Sequence, residues 1–278
     1  MKVFCLISDE RAFRSRSPVV YSEILKRSGI QGAYVPFRVS PEQLGQAVQG
    51  IRVLNIAGAN VTVPYKESVI PYLDSFSEGA NMIGAINTIV RHGEELKGYN
   101  TNAIGFMDAL RDIGFEMAGK TAMVIGNGGM AKAVVFILNW LLADTIYIVG
   151  RNQEKTDRIV EKIGGHPMPL DLLGQEPVAV DLVVNATSVS DPEESSEMDV
   201  RVGKLQVPGC QLMVDMNYGR RNNFWEAWAL RNSVLFMDGL PTLAHQARRS
   251  FLLWTGIQMP TEEFKQVLDH SGWMSAAI

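Results

Sequence analysis

The chain has 278 residues, of which 46% are hydrophobic and 20% charged, with a formal net charge of −4. That length suits two compact units at roughly 150 residues each, and the composition excludes a disordered, collagen-like or repeat-fibre protein. The negative charge gives no long-range attraction to nucleic acid or an acidic membrane, so any anionic ligand must be held by local groups.

In chain order, segments of strand length alternate with segments of helical period, the α/β pattern with parallel sheets. The first series predicts a strand over Val3–Ser8, a helix over Pro18–Ser28, a strand over Ala33–Arg38 and a helix over Pro41–Gly50. Strand and loop follow over Asn55–Val63, then a helix from about Tyr65 to Leu73 and a strand pair, Ala85–Arg91 and Leu96–Tyr99. Ser17-Pro18 and Ser40-Pro41 each place a capping hydroxyl before a proline at the first helical position. A connecting helix, Thr101–Gly114, leads to the second series. It predicts strands at Thr121–Ile125, Thr145–Val149, Asp181–Asn185 and Gln211–Met216, and helices at Gly128–Leu142 and Glu154–Ile163. The polar stretch Ser188–Asp199 reads as a mobile surface loop, and helices over Pro241–Thr255 and Thr261–Asp269 finish the chain.

The longest apolar run, Ala133–Leu138 resuming after Asn139 to Ala143, falls short of the roughly 20 residues that span a bilayer, and the N-terminal residues show no signal-peptide pattern. Cys5 and Cys210, the only cysteines, lie in apolar runs and read as inert buried strand thiols of a cytoplasmic protein. His92, His166, His245 and His270 show no ligand spacing, so no metal is expected. Trp225, Trp228 and Trp254 read as packing residues.

Gly126-Asn127-Gly128-Gly129-Met130-Ala131 follows a strand and opens a helix, with Ala131 at the third glycine position of G-x-G-x-x-G. Gly126 permits the tight turn, while Gly128 and Gly129 let backbone amides approach a pyrophosphate at the helix N-terminus. The alternative is a turn that only packs strand to helix. The next strand ends in Gly150-Arg151-Asn152, with Lys155 one turn on, and lacks the acid that would hold a ribose 2′-hydroxyl. A guanidinium there pairs with a 2′-phosphate, so NADP is the expected cofactor; the alternative is a solvated surface arginine.

Three polar clusters lie at predicted C-terminal strand ends: Ser15-Arg16-Ser17-Pro18, Asn60-Val61-Thr62-Val63-Pro64-Tyr65-Lys66, and Gly84-Ala85-Ile86-Asn87-Thr88 with Gly98-Tyr99-Asn100-Thr101-Asn102. Taken singly, each also reads as a helix cap or turn. Their joint order and spacing, together with Asn185-Ala186-Thr187-Ser188, Asp215-x-x-Tyr218 and Gly239 to Ala247, resembles the shikimate dehydrogenase family over almost the whole chain.

The resemblance implies an NADP-dependent oxidoreductase acting on shikimate or a related alicyclic hydroxy acid. Ser15, Ser17 and Tyr218 would hold the substrate carboxylate, and Thr62, Asn87 and Gln246 the ring hydroxyls. Lys66 would exchange the proton, with Asn102 beside it. Thr187, Met216 and Gly239 would join the glycine loop, Arg151 and Lys155 around the cofactor. It also implies an α/β fold of two domains: a substrate domain of residues 1–101 plus 246–278, and a Rossmann-like NADP-binding domain of residues 102–245. A monomer or homodimer is expected, with no nucleic-acid or membrane partner. The family pattern has Asp where this chain has Asn102, and an amide holds neither a proton nor an anionic charge. Smaller departures are Ser8-Asp9-Glu10 for Gly-x-Pro, Arg14 for His, Lys132 for Arg, Gly150 for Asn, and Asn152 for Thr or Ser. They leave open a relative acting on a quinate-like or aminoshikimate-like substrate, and a non-catalytic NADP- or ligand-binding protein.

Overall fold

The computed structural model describes residues 1–270, with no description of the His270 side chain. Its elements in chain order are β1 (Lys2–Ser8), α1 (Ser17–Arg27), β2 (Gly32–Arg38), α2 (Leu44–Val53), β3 (Gly58–Val61), β4 (Ser75–Phe76), α3 (Glu78–Ile83), β5 (Thr88–His92), β6 (Glu95–Tyr99) and α4 (Thr101–Asp112). They continue with β7 (Thr121–Ile125), α5 (Gly129–Trp140), β8 (Thr145–Gly150), α6 (Gln153–Ile163), β9 (His166–Pro169), β10 (Leu182–Asn185), α7 (Ser196–Gly203), β11 (Leu212–Asp215), α8 (Phe224–Arg231), β12 (Leu235–Met237), α9 (Leu240–Thr255) and α10 (Thr261–His270). The chain divides into two compact units. One comprises Met1–Gly105 and the chain from Leu243 through α10, and the other comprises Phe106–Thr242. Residues 271–278, which the sequence reading assigns to the first domain, lie outside the described residues.

The first unit is built on a sheet of order β2-β1-β3-β5-β6-β4. β1 pairs in parallel with β2 and β3, whereas β5 runs antiparallel to β3 and β6. Its core gathers Cys5, Ile7, Leu44, Val48, Ile51, Ala59, Val61, Ile86 and Ile89. Phe4, Tyr21, Tyr34 and Trp254 form a second, aromatic group, with Phe4 and Trp254 stacked at 5.1 Å. Gly58 is required there, because a Cβ would come within 2.3 Å of the Trp254 ring.

The second unit has an all-parallel sheet of order β12-β11-β10-β7-β8-β9. Counted from β7 this is the 3-2-1-4-5-6 order of a dinucleotide-binding sheet, whose direction of winding reverses at β7. Such strands are covered on both faces, which is why β7, β10 and β11 read as unbroken apolar runs. Trp225 and Trp228 are buried in its core, packed with Met213, Val183 and Leu205.

Several local expectations are corrected. The helix expected over Tyr65–Leu73 is a run of turns and a short 3-10 segment, Ile70–Tyr72. Pro71 has no N–H for a helical bond, and its ring would collide with the preceding turn. Neither Ser17 nor Ser40 caps its helix with a hydroxyl: Arg16 holds the cap position of α1, and Ser40 makes no capping bond. The stretch Ser188–Asp199 is tied down rather than loose. Ser190 is fully buried, the Glu194 carboxylate accepts from the Ser190 and Asp191 amides at 2.8 and 3.2 Å, and α7 begins at Ser196. Cys5 is a buried thiol on β1, but Cys210 is only half-buried and precedes β11; burial pushes the two thiols up to about 12 and about 11. Both are unpaired.

Candidate active site

In the first unit, three loops and a strand start meet at one end of the sheet. β1 leads to Ser15 and Ser17, and β3 leads to Thr62 and Lys66. Thr88 at the start of β5 lies opposite both Asn60 and Tyr99 at the end of β6, so Asn87 and Asn100–Asn102 return to the same end. The Lys66 carbonyl accepts from the Ile86 amide at 2.7 Å, which holds Lys66 one residue from Asn87.

Asn87 is the hub. Its Oδ1 accepts from the Thr101 backbone N–H at 2.7 Å, while its Nδ2 lies 2.7 Å from Gln246 Oε1, 2.8 Å from Thr101 Oγ1 and 3.1 Å from Asn102 Oδ1. Behind it, Thr88, Thr101 and Ser250 exchange hydroxyl bonds of 2.8 to 3.2 Å, and Asn60 joins them to Tyr34. Asn102 is 3% exposed, and its Nδ2 is buried without a hydrogen-bond partner. A buried donor left unsatisfied costs roughly 1–3 kcal/mol.

Lys66 is 7% exposed, and burial alone lowers its ammonium from 10.5 to about 8. Both protonation states are therefore populated near neutral pH, which is what a group that gives and takes a proton requires. Ser15 Oγ accepts from the Ser17 amide at 3.2 Å, leaving its own proton to donate. Ser17 is buried and Thr62 half-buried. Among the described residues, no direct hydrogen bond links the serine pair or Thr62 to the Asn87 cluster. Tyr218 belongs to the second unit, half-buried, with its carbonyl accepting from Arg220 Nη1 at 3.1 Å.

In the second unit, the loops at the C-terminal ends of β7, β10, β11 and β12 are stitched together in order. Gly126 has φ +126°, and a Cβ there would come 3.0 Å from the Ala186 carbonyl and 3.2 Å from the Thr187 amide. The Met216 amide donates to the Asn185 carbonyl at 2.9 Å, Asn217 Nδ2 donates to the Thr187 carbonyl at 2.9 Å, and the Gly239 amide donates to the Asn217 carbonyl at 2.9 Å. A Cβ at Gly239 would meet the Met216 carbonyl oxygen at 2.4 Å.

The residues present fit a dinucleotide. α5 starts at Gly129 with Gly128 at its cap position and no side-chain capping bond, so its first-turn amides remain available to an anion. A Cβ on Gly128 would point into open space, Met130 is half-buried in that first turn, and Ala131 is fully buried, as close helix–strand packing demands. The Asn127 side chain is spent on structure: its Nδ2 donates to the Asn152 carbonyl at 2.9 Å and Thr156 Oγ1 at 3.2 Å. Gly150 makes that possible, since a Cβ there would come within 2.3 Å of Asn127 Nδ2. Arg151 and Lys155 are both exposed beyond the end of β8, and Arg151 has no ion pair among the described residues. Among the described residues, no group of three potential metal ligands occurs.

The chain matches the shikimate dehydrogenase substrate binding domain over residues 10–89, the shikimate / quinate 5-dehydrogenase domain over 108–221 and the shikimate 5'-dehydrogenase C-terminal domain over 239–268. It is 38% identical to the shikimate dehydrogenase (NADP(+)) of Desulforamulus reducens, covering 91% of this chain and 90% of that protein. The chain belongs to the shikimate dehydrogenase family. Among solved structures of that family, the Thermus thermophilus enzyme, determined with NADP(H) and shikimate, superposes with a TM-score of 0.83 at 28% identity, covering 98% of this chain and all of that one. A 5-ketofructose reductase of Gluconobacter shares the fold, with a TM-score of 0.79 at 23% identity.

The family pattern, read residue by residue, leaves out some of what holds the site. Thr101, inside a family motif, supplies the amide that orients Asn87, and Ser250, one helical turn beyond Gln246, closes the hydroxyl cluster. In the second unit, Asp215 is fully buried and accepts from Asn185 Nδ2 at 2.8 Å, Asn223 Nδ2 at 2.7 Å and the Asn217 amide at 3.0 Å, which clamps the loops that carry Thr187 and Met216. Burial raises its carboxyl pKa, and the donors around it act in the opposite direction. Asp215 stands in one of the motifs that carry the resemblance, but its spacing to Tyr218 does not show that it clamps these loops.

Proposed function

We propose that this protein is an NADP-dependent oxidoreductase that interconverts 3-dehydroshikimate and shikimate, or a closely related alicyclic hydroxy acid, with Lys66 as proton carrier. The observation that carries the reading is the buried Lys66, lowered to about 8 by burial and tied through its backbone carbonyl to Ile86, next to Asn87, in a chain whose curated relatives are named shikimate dehydrogenase (NADP(+)). Bound NADP supplies hydride transfer. In oxidation, neutral Lys66 Nζ takes the proton of the reacting hydroxyl; in reduction, its ammonium returns a proton to the oxygen. Ser15 and Ser17 donate to the substrate carboxylate, with Tyr218 as a third contact, while Thr62, Asn87 and Gln246 face the ring oxygens. Asn102 stands at the reacting oxygen beside Lys66. The amides of Asn127 to Ala131 would hold the pyrophosphate, while Gly126, whose own amide donates to the Val149 carbonyl at 2.7 Å, shapes the turn; Arg151 and Lys155 would hold the 2′-phosphate, and Thr187, Met216 and Gly239 would line the remainder of the cofactor. The substrate domain is the unit with Lys66, the NADP domain the unit with β7. The active form is a cytoplasmic monomer or homodimer, and no helix of the described residues is long and apolar enough to cross a membrane.

The test follows NADPH absorbance with 3-dehydroshikimate, and NADP+ reduction with shikimate and quinate. The reading requires turnover of at least one pair, and Lys66→Ala should lower it by roughly 10²–10⁴-fold with NADPH affinity within twofold of wild type. Saturable NADPH binding without turnover of any of these would contradict it.

A further inference from the structure

The direction of every amide in the Asn87 cluster follows from one group that cannot be reversed. The Thr101 backbone N–H can only donate, so the Asn87 atom 2.7 Å from it is the carbonyl oxygen, and the Asn87 amino group points the other way. That amino group has two protons and three acceptors within 3.1 Å. The Thr88, Thr101 and Ser250 hydroxyls have one proton each, enough for one of them to serve Thr101 Oγ1, whereas among the described hydrogen bonds Gln246 Oε1 and Asn102 Oδ1 have no donor other than Asn87, so the two protons go to them. A reversed Asn102 would set two amino groups against each other. Its carbonyl is therefore committed to Asn87, and what remains is the buried, unpartnered Nδ2. Gln246, held through its oxygen in the same way, also has only its amino group left to offer.

Building on the reading above, we propose that Asn102 is a fixed one-way donor to the reacting oxygen, so that the site is specific for substrates that turn a lone pair to it, favouring the ketone and rejecting a donor-only group such as an ammonium. A ketone oxygen can only accept, which matches Asn102 Nδ2. A hydroxyl matches only while its own proton goes elsewhere, and neutral Lys66 is the group able to take it. A carboxylate at this position would reverse the preference, because it needs a proton from the ligand and repels a carbonyl oxygen.

The test measures binding in non-reacting pairs, 3-dehydroshikimate with NADP+ and shikimate with NADPH, at pH 6.5, where Lys66 is an ammonium in wild type and stays so in Asn102→Asp. In the variant, ketone affinity should fall at least tenfold relative to alcohol affinity. A ratio within twofold of wild type, with both ligands bound, overturns the donor role and leaves the proposed activity standing. Failure of wild type to bind either acid at millimolar concentration, with NADPH still bound, overturns that activity and the donor role together. Should the aspartate variant not fold, Asn102→Ala serves: loss of the donor should lower ketone affinity at least fivefold, and an unchanged value overturns the proposal.

Discussion

The two clusters solve binding in opposite ways. In the unit that holds Lys66, side chains do the work: it carries a buried amine, and amides and hydroxyls whose directions are set by a long-range network from Tyr34 to Gln246. In the unit that holds β7, backbone does it: glycines clear space, amides at the start of α5 face outward, and the charged contribution comes from the exposed Arg151. The first arrangement uses low polarizability to tune a proton, at a cost in stability. The second leaves charge in water, where tuning is weak but pairing with a phosphate is inexpensive.

That contrast predicts separable losses. Arg151→Ala should weaken NADPH binding by roughly 10- to 100-fold, the worth of one or two charge-assisted bonds, and leave NADH binding and shikimate affinity unchanged in titration calorimetry; an equal loss for NADH would remove Arg151 from the 2′-phosphate.

Gly150→Ala should have a smaller effect on the same unit. The added methyl displaces Asn127 from Asn152 and Thr156, loosening the glycine loop and weakening NADPH binding about tenfold, the worth of a lost hydrogen bond or so. Asn127→Ala deletes the same bonds, so the double variant should bind NADPH little more weakly than the weaker of the two singles, with only the 2.6 Å approach of the methyl to Thr156 Oγ1 left to relieve. A double variant as weak as the sum of the singles would show that the clash is not with Asn127.

A separate effect concerns stability in the other unit. Lys66 has a folded pKa of about 8 against an ordinary 10.5, so between those values the unfolded chain binds more protons than the folded one, and stability rises with pH. The penalty of burying the ammonium is complete below about pH 8 and fades as pH approaches 10.5. Lys66→Met should therefore stabilise the fold by up to about 3 kcal/mol at pH 7, with most of the gain gone at pH 10, as read from urea unfolding at both pH values. A gain independent of pH would mean that the amine is not the source.

The same contrast explains what could be read from sequence. The glycine loop, Ala131 and Arg151 belong to one strand–turn–helix and its successor, so local spacing exposes them. The Lys66 cluster is drawn from five segments between Ser15 and Gln246, and only the ordered motifs of a known family bring those together on paper. Even these motifs do not reveal that the Thr101 amide orients Asn87, or that Ser250 completes the hydroxyl cluster, because both depend on the register of β5 with β6 and on how α9 packs. Among the elements, α8 goes unread because Phe224, Trp225, Trp228 and Ala229 are buried and leave little amphipathic signature, although Asn223 caps it, accepting from the Trp225 and Glu226 amides. The expected helix at Tyr65–Leu73 shows the reverse error, since Pro71 leaves only turns and a short 3-10 segment there.

The central claim is that a buried lysine without a carboxylate partner carries the proton. The pH dependence of kcat/KM for NADP-dependent shikimate oxidation tests it most directly, because it reports the free enzyme's ionisations. Oxidation needs the neutral amine, so kcat/KM should climb with pH and level off above an inflection near 8, and Asn102→Asp should move that inflection upward by favouring the ammonium. An inflection at the ordinary lysine value near 10.5, or one near 8 that persists in Lys66→Ala, would contradict the account.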